Sequence, residues 1–499
     1  MERLIMKEDI PRWSFAHANS AESVRDACSQ LPPVISEFLA QHQVPGIAVG
    51  VVVGGDLVWS GGYGSVRVGT TTIPDASHIF RIASMTKSVT ALATLMLRDR
   101  GLLRLDDEVR SFLPELSLVN EEDMDGAALS VRHLLSMAGG LVEDDPWADR
   151  QLDLNDDHFG EMLRGGVLMT YPAATAFEYS NLGYALLGRI FRVAAGETVQ
   201  RFAEREIFQP LNMSDTTWNV AELDSDRVVP GYRLHGGAFE LEPLLGDGAF
   251  APMGGLATSL RDLARLVGLH LSAWPPRGGG ESALVRRSTL REMAQVQRAS
   301  NEFPLADSHG YAFTGYGFGL SCSVHERFGR VVGHGGALPG FSSYMEWLPD
   351  CGVGVVALSN RTYRPINSLV RACCAILDQH GVIQARRLEP SDLLQRAQRS
   401  VIELYEGRSP EALGDSQPPA VRALETLVLD LDDARRYPDF AALRSAMGSV
   451  VEVGPVRPIG LLRGSWEMIC ERGSVDVSVM LGPTVPIGLQ FIRCSVVSV

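Results

Sequence analysis

Ser84-Met85-Thr86-Lys87 stands at the head of a long apolar segment, 89–97, which closes with Arg98, Arg100 and Gly101. Cations near the end of such a segment and a glycine after it are C-terminal helix signals. A helix that begins at or just before Ser84 places Ser84 and Lys87 one turn apart on the same face. An amine beside a hydroxyl accepts its proton and makes it nucleophilic. The first turn of a helix also presents free backbone N–H groups suited to a developing oxyanion. A lysine at the head of a buried helix calls for a reason. The preceding Phe80-Arg81-Ile82-Ala83 strengthens the catalytic reading. Against it stands a plain capping role for Ser84, which accounts for a lone SxxK.

Two further stretches carry candidate chemistry. In Glu178-Tyr179-Ser180-Asn181 a phenol near an amine forms a shared-proton base, and a carboxamide holds a substrate amide or the lysine. The alternative is a core tyrosine before a helix over 185–193. In Gly333-His334-Gly335-Gly336-Ala337 the glycines let a substrate backbone lie close to a strand end, and His334 hydrogen-bonds a substrate or Tyr179. The alternative there is a glycine-rich turn with a solvated histidine.

Around these motifs the patterning is that of a sheet assembled from both ends of one region. The apolar run 46–53, Gly54-Gly55 and 56–60 read as a hairpin. Strands return at 317–324, 331–334, 342–348 and 352–358, and a helix follows over 368–380. Between them, about 105–300 reads as helix and loop, which predicts a helical subdomain beside the sheet. The acidic run Glu143-Asp144-Asp145 with Asp149, Asp153, Asp156 and Asp157 reads as a solvated face, with a place on the cleft rim as the alternative. Composition shifts after His380. Ser391 is placed to cap a helix running to about Tyr405, and 407–419 is linker-like. Helices starting near Ala420 and Asp439 precede strands at 466–471, 475–481 and 488–497. In the second of these Val475, Val477, Val479 and Leu481 alternate with polar or smaller neighbours. The expected domains are therefore 1–384, a helix and linker over 385–419, and an α+β module over 420–499.

The 499 residues carry a net charge of −15 and are 45% hydrophobic. That composition is globular and argues against a phosphate-binding basic stripe, hence against nucleic acid, and against anionic membrane surfaces. No GxGxxG, GxSxG or HExxH spacing occurs, so neither a nucleotide cofactor, an α/β-hydrolase nor a metal is expected. The first nine residues lack the pattern of an export signal. The seven cysteines, odd in number and irregularly spaced, point to a reduced, cytoplasmic protein.

Taken in order, Ser84/Lys87, Tyr179/Asn181 and His334/Gly336 resemble the SxxK, YxN and K/H-x-G motifs of serine β-lactamases and penicillin-binding proteins. The likeness is to the class C β-lactamase-like branch with its D-aminopeptidases, DD-peptidases and esterases. Residues 131–137, 207–213 and 254–258 look familial too, and the likeness spans about 30–380. It implies an α/β fold: an antiparallel sheet flanked by helices, with an all-helical subdomain, to which the small C-terminal α+β module is added. It implies a serine hydrolase or transacylase that forms an acyl-enzyme on an ester or amide, with a small-molecule or peptide substrate. In that scheme Ser84 attacks and Lys87 with Tyr179 is the base. Asn181 orients Lys87 and substrate, His334 and Gly336 line the substrate site, and the backbone N–H groups of Ser84 and Ala337 hold the oxyanion. No cofactor enters. His334 in place of the family lysine favours peptidase, amidase or esterase relatives over β-lactamases. A biosynthetic peptide-cyclising or acyl-transfer enzyme uses the same residues. A catalytically silent scaffold on this fold has no need of all three of Ser84, Lys87 and Tyr179. For an amine with an ordinary pKa of about 10.4 to serve as base, burial must lower it by ~3 units, about 4 kcal/mol, so an enclosed site is expected.

Overall fold

The strand Gly46–Val53 (β1) is buried along nearly its whole length. Such a continuous apolar run fits only the middle of a sheet covered on both sides. It turns through Gly54 and Gly55, both at positive φ, into the half-exposed edge strand Asp56–Gly64 (β2), so the expected hairpin forms. The computed structural model describes residues 15–16, 21–276, 284–300, 311–407, 438–483 and 489–497. The N-terminal nine residues, the linker beyond Gly407, the helix near Ala420 and Gly488 lie outside them.

The described residues fall into two units, Ala18–Pro275 with Gly280–Ala385, and chiefly Arg386–Val499. In the first, β1 and β2 join Arg298–Ala299 (β3), Tyr311–Tyr316 (β4), Ser321–His325 (β5), Gly329–Leu338 (β6), Phe341–Leu348 (β7) and Val353–Ser359 (β8). Their order is β2-β1-β8-β7-β6-β5-β4-β3, antiparallel throughout. The two sequence ends of the region thus meet at β1 and β8, in the register Val353↔Val53.

Period-two alternation sends side chains into two separate cores. Val49, Val51, Val353 and Val355 pack with Ile35 of the helix Leu31–His42 and with Leu369 and Cys373 of the helix Ile366–Gln379. Ala48, Val52, Val356 and Leu358 face the other way, into a core shared with the helix Leu260–Ser272 and the helical subdomain.

Two strand expectations change. The segment 317–324 is not one strand. Pairing stops at Tyr316, and the chain turns back through Gly319 at φ +70 into β5. His334 and its glycines lie inside β6 rather than at its end.

In the second unit the sheet runs Val450–Val453, Arg463–Cys470, Gly473–Leu481, Leu489–Val497, and Arg457–Gly460 pairs with Arg463–Cys470. Val475, Val477 and Val479 point inward onto Leu394, Ala397 and Val401 of the helix Asp392–Tyr405. Ser391 caps that helix, accepting from the Leu394 N–H at 3.3 Å. The helix assigned from sequence to a connecting segment is therefore part of this unit's core. Phe15–Ala16 pairs antiparallel with Arg387–Leu388.

Candidate active site

Ser84 sits in a 3₁₀ turn, Ala83–Met85, that feeds the helix Thr86–Asp99 (α1). Ala83 is held at φ +50, a left-handed conformation that costs a non-glycine residue roughly 1–3 kcal/mol unless its surroundings impose it. Those surroundings are specific. The Ser343 hydroxyl on β7 donates to the Ile82 carbonyl at 2.9 Å. Gly336 on β6 lies so close that a Cβ there would stand 2.1 Å from the same carbonyl oxygen. Gly336 is thus a packing requirement of the turn that carries Ser84.

Ser84 is 9% exposed and Lys87 fully buried. The Lys87 amine lies 3.0 Å from Ser84 Oγ, 2.6 Å from Asn181 Oδ1 and 2.9 Å from the Met253 carbonyl. A neutral amine has two N–H bonds and one lone pair. In that form the two acceptors Asn181 Oδ1 and the Met253 carbonyl take the N–H bonds and the lone pair faces Ser84, to which the ammonium form donates its third N–H instead. Burial lowers the Lys87 pKa to about 8, and the charges of Asp145, Asp149 and Asp144 oppose that fall. The predicted enclosure is present.

Asn181 begins the helix Asn181–Ala195 (α2), capped by Ser180. Of the acidic run, Glu143, Asp153, Asp156 and Asp157 are exposed, as expected of a solvated face, whereas Asp144 and Asp149 are buried. Asp144 accepts from the backbone N–H of Asn181 at 2.7 Å and of Leu182 at 2.9 Å, filling donors that a helix start leaves open. Asp145 accepts from Asn181 Nδ2 at 2.6 Å. Asp149 accepts from the Tyr363 hydroxyl at 2.6 Å, and its pKa is pushed up to about 7, chiefly by burial.

The Tyr179 ring lies 4.9 Å from the Lys87 nitrogen. Desolvation and the Asp145 charge raise its pKa, opposed by a hydrogen bond with Ser84. His334 does not hydrogen-bond Tyr179; the two ring centroids are 6.3 Å apart. Its Nε2 meets the hydroxyl of Tyr316 at 2.9 Å and its Nδ1 the Gly335 carbonyl at 2.5 Å. A carbonyl only accepts, so Nδ1 carries the proton and Tyr316 donates to Nε2. Burial first, then the Lys87 charge, lowers the His334 pKa to about 3, so its ring is neutral. Ala337, part-exposed, pairs in register with Ser342, one pair from the turn that joins β6 to β7.

The structure thus gathers Ser84, Lys87, Tyr179 and Asn181 from two helix starts, with Gly336 and Ala337 alongside. Tyr316 and the Met253 carbonyl were not legible as members, and Asp144 and Asp145 were legible only as candidates for the cleft rim. One signal was available: Lys7 and Lys87 are the chain's only lysines, so position 87 keeps a lysine where arginine supplies nearly every other cation.

Comparison with known proteins agrees with this architecture. Protein flp of Staphylococcus aureus (strain N315) is 25% identical over 357 residues, covering 69% of this chain and 65% of that protein. The chain therefore spans a little under two thirds of that relative. Beta-lactamase-like protein 4 of Dictyostelium discoideum is 26% identical over 60% of this chain and 53% of its own length. Among solved structures, an octameric penicillin-binding protein homologue from Pyrococcus abyssi superposes with a TM-score of 0.61 at 20% identity, covering 94% of this chain and 100% of that one. The D-alanine carboxypeptidase AmpC from Burkholderia cenocepacia gives 0.56 at 19% identity, over 72% and 100%. At these identities the superpositions speak for the fold alone. The Beta-lactamase family profile matches residues 32–370, which hold the sheet, the helical subdomain and all three motifs, and on that match the chain belongs to the beta-lactamase family.

Proposed function

We propose that this protein is a serine hydrolase or transacylase that works through an acyl-enzyme at Ser84, on an ester or on an amide of the D-amino-acid type. The observation that carries the reading is the Lys87 amine, buried, 3.0 Å from Ser84 Oγ and bound by two acceptors that leave one valence for it.

In this reading Ser84 Oγ attacks the carbonyl carbon and its proton passes to neutral Lys87, with Tyr179 sharing it. The tetrahedral oxyanion lies against the backbone N–H groups of Ser84 and Ala337. Its collapse breaks the bond to the leaving group, which departs with the proton relayed through Tyr179. Water, or another nucleophile, then repeats the sequence on the ester formed at Ser84. Lys87 and Tyr179 titrate as a pair in such a scheme. Neutral His334, with both nitrogens engaged, offers no cation for a substrate carboxylate, which favours neutral acyl groups.

A fluorophosphonate probe tests the proposal. It should label the native protein once, and the label should vanish in Ser84→Ala while melting temperature holds. A native protein that resists the probe, or a Ser84→Ala variant that still takes it up, overturns the assignment.

A further inference from the structure

The Asn181 carboxamide touches two groups that cannot exchange places. Lys87 brings N–H bonds and needs an acceptor; the Asp145 carboxylate brings lone pairs and needs a donor. Only one orientation satisfies both, with Oδ1 on Lys87 at 2.6 Å and Nδ2 on Asp145 at 2.6 Å. The opposite orientation would turn an N–H toward the amine. Lys87 could accept it only through the lone pair that otherwise faces Ser84. Asp144 holds the backbone of Asn181 and Leu182, so rotation of the carboxamide is the freedom that remains.

From this we propose that Asp145 is a positioning residue: it sets the polarity of the Asn181 carboxamide, so that Lys87 keeps its free valence on Ser84. The inference rests on the proposed role of Lys87 as the base that takes the Ser84 proton. Asp145 does not itself meet the reacting atoms. It lies in the short helix Asp145–Ala148, between the buried Asp144 and Asp149. The other charged or titratable groups facing the Lys87 amine are the carboxylates of Asp144 and Asp149, the latter with its pKa pushed up to about 7, and the rings of Tyr179 and Tyr184, at 4.9 and 5.7 Å, with neutral His334 beyond; all of them are unchanged in both Asp145 variants.

Two variants separate the charge of Asp145 from its orienting effect. Asp145→Asn loses the charge but keeps an oxygen that accepts from Asn181 Nδ2. Asp145→Ala loses both and frees the carboxamide to turn. With two lysines in the chain, Lys87 is readable directly as a ¹³Cε-lysine NMR resonance, assigned by its loss in Lys87→Arg. The expected order of its titration midpoint is native highest, Asp145→Asn lower and Asp145→Ala lowest, because a turned carboxamide also ties up the lone pair. Acylation measured above that midpoint should fall about 10–100-fold in Asp145→Ala and much less in Asp145→Asn, with the loss in kcat rather than KM.

Equal midpoints in the two variants would mean that Asp145 acts by charge alone, and would overturn the proposal. Equal acylation plateaus would do the same. The NMR order is independent of turnover. If it holds while the native protein is not acylated at all, the hydrolase reading fails and the positioning of Asn181 stands.

Discussion

The hydroxyl of Tyr316 donates to Nε2 of His334 across 2.9 Å, and that bond, with the Gly335 carbonyl on Nδ1, closes both nitrogens of the third-motif histidine. Cephalosporins carry a carboxylate, and a charged hydrogen bond to it is worth roughly 1.5–3 kcal/mol, or about tenfold to a hundredfold. A neutral, engaged imidazole does not supply one. Turnover of p-nitrophenyl esters or D-amino-acid amides should therefore exceed that of a chromogenic cephalosporin by at least this margin. Comparable kcat/KM on the two classes would show that another group receives the carboxylate.

The two tyrosines should separate in kinetics. Tyr179→Phe keeps the ring beside Lys87 and removes the hydroxyl, so acylation and deacylation should both slow by about 10²–10⁴-fold. Tyr316→Phe leaves His334 Nε2 without its donor, a loss of about 1–3 kcal/mol read mainly in thermal unfolding. Stopped-flow rates and melting temperatures on both variants check the split. A Tyr179→Phe enzyme with native rates would remove that phenol from the mechanism.

The Lys87 pKa of about 8 makes a sign-definite prediction for activity. The base must be neutral, so acylation should rise with pH through about 8 and then level off. Removing the Asp145 charge, which holds that pKa up, should move the rising limb toward lower pH. A limb that stays in place in Asp145→Asn would assign it to a different group.

Gly336→Ala should damage the turn beneath the nucleophile. The new Cβ would meet a backbone oxygen, that of Ile82, at 2.1 Å, and backbone has nowhere to give without moving Ala83 and Ser84. A stability loss of ~1–3 kcal/mol is expected, with a fall in acylation of about 10²-fold. Near-native kcat in a destabilised protein would mean that the turn tolerates the shift.

His270 makes a prediction about stability alone. It is buried and stacked on Trp347 at 4.8 Å, and neither ring nitrogen has a hydrogen-bond partner among the described residues. Burial lowers its pKa from 6.5 to about 4. Above pH 6.5 folded and unfolded chains both hold it neutral. Below that, the unfolded chain takes up a proton that the folded one refuses until about pH 4, so stability declines as pH falls through this window, by roughly 3 kcal/mol. His270→Phe keeps a ring on Trp347 and should lessen that decline. Urea unfolding at pH 7 and pH 4.5 gives the answer, and parallel pH dependence in both proteins would exclude His270 as its source.

Local pattern decides what local interactions stabilise. The hairpin at Gly54-Gly55 follows from two apolar runs and a turn that needs positive φ. The Ser391 cap follows from a side chain three residues from the donor it satisfies, and the alternation from Val475 to Leu481 from a pleat of period two. The separation of Ser84 and Lys87 by one helical turn belongs to the same class, which is why the nucleophile and its amine can be read from four letters. The ordered motifs also point to Tyr179 and Asn181.

Long-range polarity was decided by the tertiary structure alone. Asp144 and Asp145 read from sequence as an acidic loop or a cleft rim, yet the fold sets them against the start of α2 as partners of residues 36 or more positions away. His334 reads as a neighbour of Tyr179, and the register of β4 through β6 gives it to Tyr316 instead. The carbonyl of Met253 is a backbone atom with no side-chain identity to read. The physical reason is common to all three. A buried polar atom must find a partner or bear its full desolvation, and which partner lies within 3 Å is set by how sheets and helices meet, not by spacing along the chain.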